Sequence, residues 1–217
     1  MFFDIIKRTI DIVASIILLI VFSPIIIATA IAIKITSEGS IFVEKTNSHM
    51  KRLGKNGKTF RLYKFRSMIL YGDILEKTHP KYKIAYIQKH SGGSYKPKKD
   101  PRVTKVGKFI RKHSIDEMPQ LINVLMGDMS IVGPRPYLKE ELDEQMEKYP
   151  GTEKYVKEMQ KVKPGITGYW QVEGRSDVNF DKRIEMDAFY ARKKSLFFDF
   201  LIIIKTPWVM ISGRGAR

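Results

Sequence analysis

The chain has 217 residues, with 39 lysines and arginines against 23 aspartates and glutamates, for a formal net charge of +16. That length supports one globular unit with a real core plus a membrane element, and the charge favours an anionic partner: nucleic acid, lipid headgroups or a phosphorylated substrate. At 43% hydrophobic and 11% aromatic it is not a disordered basic tail, and with no cysteine it has no disulfide, thiolate nucleophile or Cys-ligated zinc.

Residues 10–35 are almost wholly apolar, interrupted by Asp11, Ser15, Ser23, Pro24, Thr29 and Lys34. The stretch is long enough to span a hydrocarbon core of about 30 Å. Lys7 and Arg8 precede it, and Lys34, Lys45, Lys51 and Arg52 follow it. Basic flanks prefer the cytoplasmic side, so a simple span leaves one set on the wrong side. Pro24 removes a helical hydrogen bond, and Ser23 could bond a freed carbonyl there. A helix broken at Ser23-Pro24 could dip into one leaflet and return; a kinked transmembrane helix is the alternative. If the proline sets the topology, Pro24→Ala straightens the helix and moves Met1 to the opposite face. The domain boundaries expected are residues 1–37 for the membrane element and 38–217 for the rest.

Gly54-Lys-Asn-Gly57 is a hairpin-type turn, and residues 59–68, Thr-Phe-Arg-Leu-Tyr-Lys-Phe-Arg-Ser-Met, read as a strand. Period two puts Lys64 and Arg66 on one face with Phe60 and Leu62, where two cations could hold a phosphate or simply meet solvent. Residues 79–99 are polar and read as a loop. Residues 103–112 read as a short basic helix with Val106, Phe109 and Ile110 inward. Residues 138–160 are helical, broken at Pro150-Gly151, with Leu142, Met146 and Tyr149 as a packing seam. Residues 166–172 read as a short strand or extended segment, and 180–193 as a further helix. Residues 195–212 are apolar but interrupted by Asp199, Lys205 and Pro207. They form either an interfacial helix with Trp208 at headgroup level or a core helix. The four histidines have no metal-ligand spacing.

Residues 114–136 carry the chemistry. Ser114-Ile-Asp-Glu117 is a capping-box pattern before an apolar run, so Ser114 and Glu117 could merely cap a helix. The same place suits a nucleophile, because helix N–H groups and the dipole favour an ionised carboxylate, here Asp116. A carboxylate can attack phosphorus and form an acyl-phosphate. Glu117 beside it could hold a divalent metal or handle a proton, and two acids plus phosphate oxygens suffice for Mg²⁺. Arg135, fixed between Pro134 and Pro136, suits bidentate phosphate binding.

On these motifs the chain resembles the bacterial sugar transferases, the monotopic phosphoglycosyl transferases that prime glycan assembly on polyprenyl (undecaprenyl) phosphate. The matching pieces are Lys7-Arg8 with Asp11, Ser23-Pro24, the Lys64–Met68 run, Asp100-Pro-Arg102, Ser114 through Leu125, Gly127 through Pro136, Lys163 through Val172, and Gly174-Arg-Ser-Asp177. The resemblance implies an α+β, mainly helical fold. A re-entrant membrane helix would carry a small catalytic domain on the cytoplasmic face of the bacterial inner membrane, with interfacial amphipathic helices and a short β element. It implies that Asp116 attacks the β-phosphate of a UDP-sugar, that UMP leaves, and that polyprenyl phosphate takes the phosphosugar from the aspartyl intermediate. Glu117 would assist through Mg²⁺, held with Asp116, or through proton handling. Lys64, Arg66, Arg111, Arg135 and Arg175 match basic positions assigned to phosphate contact.

Residues 169–177 look more like the hexose-phosphate-transferring members than the N-acetylated ones, which favours galactose or glucose. Two departures stand out: an extended segment at residues 39–58, and His113 directly before Ser114. Larger relatives carry further N-terminal membrane helices and a soluble domain, and this chain is expected to be the catalytic unit. The competing readings are a glycosyltransferase that releases UDP, and a basic membrane-anchored binding protein. Distributed cations paired with an acidic dyad argue against a nucleic-acid partner. The partners expected are a UDP-sugar, polyprenyl phosphate and the lipid bilayer, with a homodimer left open.

Overall fold

The computed structural model describes residues 2–43, 50–69, 102–174 and 178–212, with side chains through residue 209 in the last segment. The polar stretch 79–99, Arg175 and residues 44–49 of the longer 39–58 segment lie outside the described residues. The architecture is mostly helical with two small sheets, an α+β arrangement.

The apolar N-terminal stretch forms α1 (Phe2–Val21) and α2 (Ser23–Thr36), bent by 61° at their junction. Pro24 sits in the first turn of α2, where its missing N–H costs least. The carbonyl four residues back, Ile20, takes the Ser23 hydroxyl instead, at 2.7 Å. Ser23 thus satisfies the acceptor that Pro24 leaves open. Among the described residues no single helix is long and apolar enough to cross a membrane, but α1 and α2 taken together are.

One stripe of α1 is polar and faces the rest of the molecule. Arg8 donates to the carbonyls of Val124 and Leu125 at 2.5 and 2.8 Å. Asp11 is buried and accepts from Ser130 Oγ and the Ile131 N–H, both at 3.0 Å. Lys7 pairs with Asp199 at 2.5 Å. Residues 7, 8 and 11 lie about one turn apart on this stripe, and they tie the helix to three separate places: Asp199, the carbonyls of Val124 and Leu125, and Ser130-Ile131. The opposite face of α1 leaves Val13, Ile16, Ile17 and Ile20 exposed.

The expected hairpin is present: β1 (Lys51–Leu53) pairs antiparallel with β2 (Thr59–Arg61) across the Gly54–Gly57 turn. Asn56 and Gly57 have positive φ there, as such a turn requires. The strand expected over residues 59–68 stops at Arg61. Beyond it the chain meets a different partner at each step: Leu62 N–H to Met50, Phe65 N–H to Asp116, Arg66 N–H to Ile41. Leu62 and Phe65 are both buried, three residues apart, so strict alternation is lost. Lys64 and Arg66 consequently do not share a face.

α3 (Lys105–Lys112) follows, with the Thr104 hydroxyl accepting from the Gly107 N–H. Gly107 is obligatory, because a Cβ there would stand 1.9 Å from the Ser67 carbonyl oxygen. Val106 and Ile110 face inward as expected, but Phe109 is exposed and rests on the His113 ring. A 3₁₀ turn at Ile115–Glu117 leads into α4 (Gln120–Met126) and then β3 (Ser130–Val132). Helices α5 (Lys139–Lys148) and α6 (Glu153–Met159) are separated at Pro150-Gly151. Leu142, Met146 and Tyr149 form the seam, around a core of Tyr137, Val156, Met159, Phe180 and Ile184.

β4 (Gly165–Thr167) runs parallel to β3. The extended segment expected through residue 172 instead turns into α7 (Tyr169–Glu173). α8 (Phe180–Lys193) matches its expected bounds. α9 (Leu196–Ser212) is one helix with Pro207 inside it. Its Ile202 is buried against Val132 and Tyr190, while Phe197, Phe200, Ile204 and Trp208 are exposed. It is therefore half core and half apolar surface.

Candidate active site

The two adjacent carboxylates lie on the 3₁₀ turn between α3 and α4. Ser114 before them adopts φ 54°, a left-handed conformation uncommon outside glycine, and makes no side-chain cap. The capping-box reading is thus not realised: α4 starts after Pro119, and the turn at Ile115–Glu117 presents its acids to a neighbour rather than to its own backbone.

That neighbour is Lys64. Its ammonium lies 2.8 Å from Asp116 Oδ2 and 3.3 Å from Glu117 Oε1. Three local features fix the pairing. The Phe65 N–H donates to the Asp116 carbonyl at 3.0 Å. Asn123 on α4 accepts from the Tyr63 N–H at 2.9 Å and donates to the Arg61 carbonyl at 2.6 Å, clamping the extended chain onto the helix. Phe65, Ile110 and Ile115 then bury together with Ile33 of α2. Asp116 is only 2% exposed, whereas Glu117 remains half-buried.

Burial pushes the Asp116 carboxyl above its ordinary value, and Glu117 adds to this; Lys64 and Arg111 oppose it. Burial works against the charge of Lys64, but Glu117 and Asp116 outweigh it and hold the ammonium above its usual range. The lysine stays charged, and its charge keeps a buried aspartate ionisable.

The other expected site residues divide. Arg111 lies on the same side as the dyad, donating Nε to Ser67 Oγ at 2.7 Å. Arg66 does not join it. Its guanidinium donates to the carbonyls of Ser37, Glu38 and Ser40 and closes the turn after α2. Lys7 and Arg8, expected as topology signals, also tie α1 to the domain.

Arg135 is held by its backbone. Gly133 and Gly165 cross so closely that a Cβ on Gly165 would fall 2.0 Å from Gly133 N. The Gly133 N–H donates to Thr167, and the Gly165 N–H to Pro134. Asp187 on α8, fully buried, accepts from the Arg135 N–H at 3.4 Å and from the Tyr137 hydroxyl at 3.2 Å. Burial pushes the Asp187 carboxyl up to about 8. The Arg135 guanidinium lies 5.9 Å from the Trp170 ring centroid, and Glu117 is among the carboxylates that raise its pKa despite burial.

Asp187 was missed by sequence reasoning, although a carboxylate on the apolar face of α8, next to Ile184, Ala188 and Ala191, is a legible signal.

Asp116 and Glu117 offer hard oxygen donors suited to Mg²⁺. Among the described residues no group of three or more His, Cys, Asp or Glu side chains converges; two carboxylates with substrate phosphate oxygens and water can complete a Mg²⁺ sphere. The arrangement fits a metal brought with a diphosphate, not a cage made by protein alone.

The model of the family described as bacterial sugar transferase matches residues 2–213. The chain is 43% identical over 211 residues to the undecaprenyl-phosphate galactose phosphotransferase of Salmonella typhimurium, covering 97% of this chain and 41% of that protein. It is 37% identical to the exopolysaccharide production protein ExoY of Rhizobium meliloti, covering 97% of this chain and 87% of that protein. It is also 37% identical to the UDP-glucose:undecaprenyl-phosphate glucose-1-phosphate transferase of Escherichia coli, covering 97% and 41% respectively. The chain thus spans less than half the length of two of these relatives and most of the third. With a family model matched from end to end, the chain belongs to the bacterial sugar transferase family.

Proposed function

We propose that this chain transfers a sugar-1-phosphate from a UDP-sugar to polyprenyl phosphate, with Asp116 as the covalent nucleophile. The observation that carries the reading is the Lys64 ammonium set between Asp116 and Glu117. A buried carboxylate kept ionisable by a lysine is poised to attack phosphorus. The names of the Salmonella and Escherichia coli relatives supply the substrate class by similarity.

In the first step an Asp116 carboxylate oxygen bonds to the β-phosphorus, and the bond from that phosphorus to the bridging oxygen breaks. UMP leaves with the electron pair. In the second step an oxygen of polyprenyl phosphate bonds to the same phosphorus, and the bond to Asp116 breaks, restoring the carboxylate. Lys64 and Arg111 offset the charge of the transferred phosphoryl group, and Arg135 extends the cationic surface past Glu117. Asp116 and Glu117 would hold Mg²⁺, which supplies charge neutralisation of the diphosphate when bound.

We read α1–α2 as a re-entrant element, residues 1–37, entering one leaflet from the cytoplasmic face of the bacterial inner membrane, with residues 38–217 as the catalytic domain beneath. The proline break, the Ser23 bond and the apolar outer face support this. Three polar ties from α1 keep its N-terminal half on the catalytic domain. The exposed apolar side of α9 would rest in the same interface. For the sugar, galactose and glucose are retained; a further relative from Aeromonas hydrophila, named for N-acetylgalactosamine, is 37% identical.

The test is intact-protein mass spectrometry after incubation with a UDP-sugar and Mg²⁺ but no lipid acceptor. A hexose-phosphate adduct on wild type, absent from Asp116→Asn and discharged by polyprenyl phosphate, is expected. Turnover without any adduct under rapid quench would contradict the covalent route.

A further inference from the structure

Beside Arg135, which already extends the cationic surface past Glu117, stand two further arginines that the reaction as described does not use. Arg183 on α8 shares the Trp170 ring with Arg135, and Arg52 on β1 lies close enough to Arg135 for their charges to repel. Arg135 and Arg183 lie 5.9 and 4.7 Å from the same indole centroid. Arg52 reaches Glu141 at 3.9 Å, the outer limit of an ion pair. Burial, then the neighbouring Arg135, lower the Arg52 guanidinium to about 10, so it stays charged at neutral pH. In all three arginines Nε is buried with no hydrogen-bond partner, and Trp170 Nε1 is in the same condition. Unmet buried donors are costly, and three like charges packed together repel. All three arginines are half-buried as residues. Such a group is stable to the extent that an anion completes it.

Its position says which anion. The Leu53 N–H, next to Arg52, donates to the carbonyl of Tyr137, two residues beyond Arg135, at 2.9 Å, and the Glu117 charge bears on both arginines. Lys64 is already committed to the nucleophile. In phosphoryl transfer the attacking and leaving oxygens stand roughly in line on opposite sides of phosphorus. Cations for the leaving group therefore belong away from Asp116, past Glu117. Guanidiniums suit a phosphate dianion there, through bidentate hydrogen bonds.

We propose that Arg52, Arg135 and Arg183 form a second anion subsite that binds the nucleotide-side phosphate of the donor and holds UMP as it leaves. The proposal rests on the phosphoglycosyl-transfer reading for the identity of the nucleotide. Trp170 is the platform on which Arg135 and Arg183 lie, and Asp187 fixes the backbone of Arg135 from below.

The test is direct binding of UMP, with uridine as the control lacking phosphate, by calorimetry on detergent-held full-length protein. An Asp116→Asn background removes turnover. Arg52→Gln and Arg183→Ala are each expected to weaken UMP by about tenfold or more, while uridine binding stays unchanged. Arg183→Lys, which keeps charge and stem, is expected to recover part of the loss and serves if the alanine variant fails to fold. Unchanged UMP affinity in folded Arg52→Gln and Arg183→Lys overturns the subsite, as does an equal loss for uridine. Failure of the underlying reading looks different: wild type would release UDP, whatever these variants do to UMP binding.

Discussion

The ammonium of Lys64 stands 2.8 Å from Asp116 and 3.3 Å from Glu117, a single cation shared by two carboxylates adjacent in sequence. It arrives from 52 residues earlier (116 − 64) because Asn123 clamps the chain leaving β2 onto α4. The ionisation of Asp116 therefore depends on a residue from another element.

Lys64→Met tests this. Lys64 lowers the Asp116 carboxyl against burial, so its loss must raise it further. The acid limb of the pH–rate profile is expected to move to higher pH, with activity near neutrality down by about a hundredfold or more. A rate loss with an unmoved limb would assign Lys64 to substrate contact alone.

Asp187 gives a stability prediction with a defined sign. Its carboxyl rises from 3.8 to about 8 on folding. The folded protein binds this proton more tightly, so the contribution is fully present below pH 3.8 and is lost as pH rises through about 8. Asp187→Asn keeps an acceptor for the Tyr137 hydroxyl but cannot ionise. Thermal unfolding should show wild type weakening between pH 5.5 and 8.5 more than the Asn variant does, by about 1.4 kcal/mol per pH unit of the difference. Parallel pH slopes would count against a raised Asp187.

The membrane element makes a topological prediction. Pro24→Ala restores an N–H for the Ile20 carbonyl and favours a straight helix. The ties from Lys7, Arg8 and Asp11 oppose any flip of the N-terminal half. The single variant is expected to keep the N-terminus on the domain side, and Pro24→Ala with Asp11→Ala to release it. The chain has no cysteine, so Phe2→Cys gives a unique label for impermeant thiol reagents. A flipped label in the single variant would show that the proline alone sets topology.

Trp208 is 73% exposed on α9, while Trp170 is 8% exposed. Brominated lipids should quench Trp208 in Trp170→Phe protein reconstituted in nanodiscs, and Phe200→Asp should reduce that quenching. No quenching would place this face away from the bilayer.

Much of this was legible in the sequence, for stated reasons. α8 was read at its observed bounds, the hairpin from Gly54-Lys-Asn-Gly57, and the α1–α2 break from Ser23-Pro24. The acidic dyad could be located, but not its partner, because Lys64 and Arg66 look alike in an extended segment. Only the tertiary clamp by Asn123 and the turn at residues 37–40 send one to Asp116 and the other to backbone carbonyls. The capping box failed for a related reason: Ser-x-x-Glu specifies a local bond, and the left-handed Ser114 turns Glu117 toward Lys64 instead. The polar stripe of α1 was visible as spacing, yet its meaning as a docking face required knowing what lay opposite.

Phosphoglycosyl transfer and plain glycosyl transfer differ in the nucleotide released from UDP-galactose or UDP-glucose by nanodisc-held protein with polyprenyl phosphate and Mg²⁺. Wild type is expected to release UMP, and folded Asp116→Asn none. Release of UDP, or UMP release that survives loss of the Asp116 carboxylate, would rule out Asp116 as the covalent nucleophile of a phosphosugar transfer.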